Sequence, residues 1–109
     1  MILDQSQLEA LYTVILTIDD QGKLRHARGA PLRHVEDLRP GTAFFDHFSF
    51  LRPARVNSVE DMRRPRNSLF LLKDNEDRFA ARGQVVEMDW DGERLLTFCG
   101  SPWLFWMNS

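Results

Sequence analysis

Residues 42–53 read TAFFDHFSFLRP, and the reading of this stretch sets how many strands the domain has. Thr42 can serve as an N-cap. Phe44 and Phe48 then share one face at i,i+4 spacing, with Phe45 beside them, and Pro53 ends the region. The spacing predicts a short helix, with Phe44, Phe45 and Phe48 turned to the core. Phe44, Phe48 and Leu71 together are also the candidate lining of a small apolar pocket, although phenylalanines at this spacing serve plain core packing more often.

Strand signals lie on both sides of this helix. Upstream, Thr13-Val14-Ile15-Leu16-Thr17-Ile18 is rich in β-branched residues and runs into Asp19-Asp20-Gln21-Gly22, a turn signal, so residues 23–28 read as the returning strand of a hairpin. Residues 31–37 read as a short helix or turn. Downstream, residues 54–66 are arginine-rich and irregular, with Ser58 placed to cap a helix over 59–63. Three more strands are predicted over 67–73, 78–88 and 94–99, and the Asp91-Gly92 pair between the last two is a strong hairpin signal. Residues 3–11 read as an N-terminal helix, with Asp4 or a Ser6-Gln7-Leu8-Glu9 capping box at its start. The expected architecture is therefore α+β: a five-stranded antiparallel sheet with short helices on one face and an N-terminal helix. The last strand is apolar on both sides (Leu95, Thr97 and Cys99 against Leu96 and Phe98), so its second face needs a cover.

Composition narrows the function classes. The 109 residues are 43% hydrophobic and 28% charged with net charge −2, an ordinary globular balance without a basic nucleic-acid footprint. One cysteine, Cys99, leaves no internal disulfide, which suits a cytoplasmic protein. No apolar run is long enough to span a bilayer.

Three stretches, together with the strand order, carry a family resemblance. Asp37-Leu38-Arg39-Pro40-Gly41-Thr42-Ala43-Phe44 continues through Asp46 and Phe48 to Leu51-Arg52-Pro53. Arg82-Gly83-Gln84-Val85 falls in the penultimate strand. Leu96-Thr97-Phe98-Cys99-Gly100-Ser101-Pro102 ends the sheet. Over residues 12–104 the chain resembles the PAS-like heme-NO-binding-associated (H-NOXA, or HNOBA) domain of soluble guanylate cyclases and bacterial sensor histidine kinases. The resemblance implies a non-catalytic dimerisation and signal-relay module that carries no heme itself. A heme-NO-binding domain and a kinase output domain would be its partners, and residues 105–109 would lead toward that output. In this reading the motif residues Arg39, Pro40, Gly41, Thr42, Arg82, Gly83, Gln84, Gly100, Ser101 and Pro102 are structural. The homodimer interface would draw on Leu3, Leu8, Leu11 and Tyr12 of the N-terminal segment and on Trp103 and Phe105 at the other end.

Chemistry is sparse by contrast. His26, His34 and His47 form no ligand-spaced pair, so no metal or cofactor is expected. Heme held by His34 or His47, or a small apolar molecule among the phenylalanines, is the alternative, sensory reading. Cys99 sits in a strand expected to be buried, where a thiol is inert. No nucleophile elbow, catalytic triad or phosphate loop is visible, so an enzyme is not expected.

Overall fold

The computed structural model describes residues 5–35, 38–64 and 68–103. Its architecture is a curled six-stranded antiparallel sheet, a half-barrel, in the order β2-β1-β6-β5-β4-β3. The strands are β1 (Val14–Ile18), β2 (Leu24–Arg28), β3 (Phe48–Arg52), β4 (Phe70–Asp74), β5 (Ala80–Trp90) and β6 (Glu93–Pro102). Among the described residues helix is confined to short pieces: α1 (Gln5–Leu11), a 3-10 turn at Ala30–His34, α2 (Phe44–His47) and α3 (Val59–Arg63). The five-stranded α+β plan with an N-terminal helix is thereby corrected. Sheet dominates the fold, and α1 amounts to seven residues, about two turns.

The sixth strand comes from the phenylalanine stretch. Phe44–His47 makes a single helical turn, and from Phe48 the chain is extended, pairing Phe48 with Asp74 and Phe50 with Leu72. Thr42 does not cap that turn. Its hydroxyl donates to the Arg39 carbonyl at 2.8 Å, and Ala43 occupies the cap position. Asn75 pins the junction, donating its backbone N–H to the His47 carbonyl at 2.8 Å and its side-chain amide to the Phe45 carbonyl at 3.1 Å.

The other turns follow their sequence chemistry. Asp19 Oδ1 accepts from the backbone N–H groups of Gln21 and Lys23, both at 2.9 Å, and Gly22 takes φ 80°. Asp91 and Gly92 both have positive φ, 52° and 83°, the requirement of a tight two-residue hairpin, and Trp90 pairs with Glu93 across it. Ser58 caps α3 by accepting from the Asp61 N–H at 3.2 Å, while Asp61 Oδ2 accepts from the Asn57 N–H at 3.0 Å.

The main core lies on one face, between the sheet (Val14, Leu16, Ile18, Phe70, Leu72, Leu96, Phe98) and the short helices (Leu32, Phe44, Val59, Met62). Each fully buried phenylalanine contributes about 1.5–3 kcal/mol. Arg63 ties α3 over this face, bonding Asp20 on the first hairpin and Glu87 on β5. A second cluster, Ile15, Met88, Trp90, Leu95 and Cys99 with Tyr12 against it, occupies the opposite face. Burial on β5 changes sides along its length: Ala81 and Gly83 are buried on the main face, Met88 and Trp90 on the other.

Candidate functional site

The chain enters and leaves through neighbouring central strands. β1 lies between β2 and β6, and Val14 pairs directly with Gly100. Just outside that pair, the Thr13 hydroxyl donates to the Ser101 hydroxyl at 3.4 Å. The Trp103 N–H donates to the Ala80 carbonyl at 2.9 Å, so the outgoing chain stays on β5 past the end of β6. All five residues of β1 are buried, as a strand covered on both faces requires.

The second face has a covered half and an open half. Over the covered half lies Trp90, whose indole N–H donates to Thr97 Oγ1 at 3.0 Å and whose ring stacks on His26 at 5.3 Å. His26 Nδ1 and Thr17 Oγ1 are hydrogen-bonded at 2.7 Å. His26, Thr17 and Thr97 are in register across β2, β1 and β6, so the buried polar atoms of this face satisfy one another. On β5 and β6, Arg82, Gln84, Val86 and Ser101 are exposed, and Val86 is 37% accessible.

The predicted interface residues differ in exposure, and of them Tyr12 packs against the cluster on this face. Leu11, at the end of α1, is 63% exposed. Tyr12 is half-buried against the second cluster, and Trp103 is half-buried beside β5. Leu3, Phe105 and residues 105–109 lie outside the described residues, as does the side chain of Leu8.

Two of the three family-like stretches meet. Arg82 pairs with Ser101, Gly83 with Gly100 and Gln84 with Cys99, so segments that lie apart in sequence form one cross-strand patch, with Pro102 opposite Ala81. A Cβ on Gly83 would stand 2.1 Å from the Cys99 carbonyl oxygen, and one on Gly100 would stand 2.4 Å from that of Arg82. The Arg39-Pro40-Gly41-Thr42 stretch lies elsewhere and closes a turn on β2. The Gly41 N–H donates to the Leu24 carbonyl at 2.6 Å, and the Leu24 N–H donates to the Thr42 carbonyl at 2.8 Å. Gly41 has φ 95°, which only glycine adopts freely.

Of the candidate pocket residues, Phe44 and Phe48 are fully buried with ring centroids 5.1 Å apart, and they belong to a network with Phe45, Phe50, Phe70 and Phe98. Leu71 is not with them; it alternates with the core residues Phe70 and Leu72 and is half-buried. Cys99 is buried, and burial pushes its thiol pKa up to about 11. Among the described residues no three His, Cys, Asp or Glu side chains converge as a metal site. No helix among them is long and apolar enough to cross a membrane.

Two arrangements are not legible from local signals in the sequence. One is the Trp90 cover; its only signal was the apolar second side of the last strand. The other is Asp74, which is 1% exposed, accepts from the Arg78 guanidinium at 2.7 and 3.2 Å and receives the backbone N–H groups of Glu76 and Arg78. Burial opposes the Asp74 charge, but these hydrogen bonds outweigh it and hold the carboxyl below its usual range. Comparison with known protein families and with curated proteins finds no match.

Proposed function

We propose that this domain is a non-catalytic dimerisation and signal-relay module, related to the heme-NO-binding-associated domains and acting in a cytoplasmic sensor histidine kinase. The observation that carries this reading is the direct pairing of the entering strand with the outgoing one, Val14 against Gly100. A displacement of α1 reaches the outgoing chain through backbone hydrogen bonds between neighbouring strands and need not cross the core. The Arg82-Gly83-Gln84 and Gly100-Ser101-Pro102 stretches, on which the resemblance partly rests, frame that same exit.

The dimer in this reading is two-fold and self-complementary, built from the exposed Leu11 at the end of α1 and the open half of the second face around Val86. A heme-NO-binding domain upstream and a kinase downstream are its proposed partners. The test is light scattering on the purified chain and on a Leu11→Asp, Val86→Asp variant. The parent chain is expected to have twice the protomer mass, and the variant to be a folded monomer with an unchanged circular dichroism spectrum. A variant that stays dimeric overturns this interface.

A further inference from the structure

The aromatic network on the main face is closed everywhere but at one edge. Phe44, Phe48, Phe70 and Phe98 are all 1% exposed or less, whereas Phe45 and Phe50 are only half-buried. Those two rings, inclined at 66° with centroids 6.3 Å apart, line a recess of 150 Å³ together with Phe48 and Val56. An enclosed apolar cavity of about this size holds a single benzene ring; this recess is open to solvent, with its apolar side formed by the phenylalanines and Val56. Offset and edge-on contacts with Phe45 and Phe50 favour a flat aromatic guest over an aliphatic one.

The rim of the recess is polar. Ser49 and Asn57 contribute to it, and Arg55 is its one cation. Whereas Arg25, Arg63, Arg64, Arg78 and Arg94 form ion pairs, Arg55 has no ion-pair partner among the described residues. The nearest acids in sequence do not neutralise it: Glu60 is exposed and forms no ion pair with Arg55, and the Asp61 carboxylate is engaged by the Asn57 N–H and by Arg64. Arg55 also holds φ 65°, a left-handed conformation that is uncommon for a residue with a side chain and that clusters at ligand clamps.

We propose that this recess binds a small planar aromatic carboxylate, with its ring against Phe45 and Phe50 and its carboxylate on the Arg55 guanidinium. A guanidinium fork matches a planar carboxylate through two parallel hydrogen bonds. The recess takes the ring, and the carboxylate lies at its polar rim. The site stands independently of whether the chain dimerises.

The test is a titration of the whole domain with benzoate, and in parallel with neutral benzamide, followed by NMR of the phenylalanine ring and backbone signals. Benzoate is expected to shift Phe45, Phe50 and Arg55 with a Kd of about 1 mM, reasonable for a nine-atom ligand. Arg55→Asn and Arg55→Gly both tolerate the left-handed backbone. Each is expected to weaken benzoate roughly tenfold and to leave benzamide unchanged. Absence of shifts at Phe45 and Phe50 up to about 20 mM benzoate overturns the proposal. Equal benzoate affinity of the parent and both variants overturns it as well.

Discussion

Gly83 and Gly100 lie directly opposite each other on β5 and β6, with the ring of Phe98 over the second of them. Neither position has room for a side chain. The atoms in the way are backbone atoms of the facing strand, 2.1 Å from a Cβ on Gly83 and 2.4 Å from a Cβ on Gly100. The pair sits one residue from the Arg82–Ser101 contact and at the end of β1 where Val14 begins, so it fixes how closely the central strands approach at the joined chain ends.

Alanine at either glycine is therefore expected to force the strands apart. Gly83→Ala and Gly100→Ala should each lose about 2–4 kcal/mol of stability in urea denaturation, in the range of severe overpacking. Gly92→Asn is the control. Gly92 has φ 83° with nothing within 4 Å of a Cβ, and asparagine tolerates that backbone, so the change should stay within about 1 kcal/mol.

Trp90 is expected to be the main support of the second face. Thr97→Val keeps the shape and removes the acceptor of the indole N–H, which should cost about 1–3 kcal/mol. Trp90→Ala also removes the stacking on His26 and should cost about 3–5 kcal/mol. Adding Thr97→Val to Trp90→Phe should cost much less than Thr97→Val alone, because phenylalanine leaves no donor unpaired. Urea denaturation of the four proteins in that cycle measures the coupling.

Asp74 gives the stability a defined acid limb. Its folded-state pKa lies below the unfolded value of about 3.9, so its contribution is complete above that value and is lost as the pH falls through the folded one. Asp74→Asn should cost about 1–3 kcal/mol at neutral pH and should flatten the fall in stability below about pH 4. Melting temperatures across that range check both effects.

Cys99 is expected to be silent in the folded protein. With its thiol pushed up to about 11, roughly one part in a thousand is ionised at pH 8, and the group is buried besides. A chromogenic disulfide reagent should react with it slowly in buffer and at the rate of a free thiol in denaturant.

Much of the sheet was legible because its signals are local. The β-branched run at 13–18, the Asp91-Gly92 turn and the Ser58 cap each led to the element found there. The phenylalanine stretch is legible only in part: the short helix is there at Phe44–His47, but the strand from Phe48 is hidden because two periods coincide, residues 44 and 48 sharing a face in a helix and also two steps apart in a strand. Phe50 breaks the tie, since it continues the strand alternation from Phe48 and has no place on the helical face. The cover of the second face depends on the path of a long side chain. Trp90 sits next to a tight turn and reaches Thr97, seven residues on, and no sequence period marks such a contact. The joining of Arg82-Gly83-Gln84 to Gly100-Ser101 likewise depends on strand register, which exists only once β5 and β6 have paired.

In the proposed reading, this domain works as a pair built on α1 and the open half of the second face. Sedimentation equilibrium of the purified chain across a concentration series tests it most directly. A single monomer–dimer equilibrium with a Kd in the micromolar range or tighter, shifted to monomer by Leu11→Asp with Val86→Asp, is the expected result. A chain that remains monomeric at several hundred micromolar (on the order of 5 kcal/mol of association or less) would contradict it.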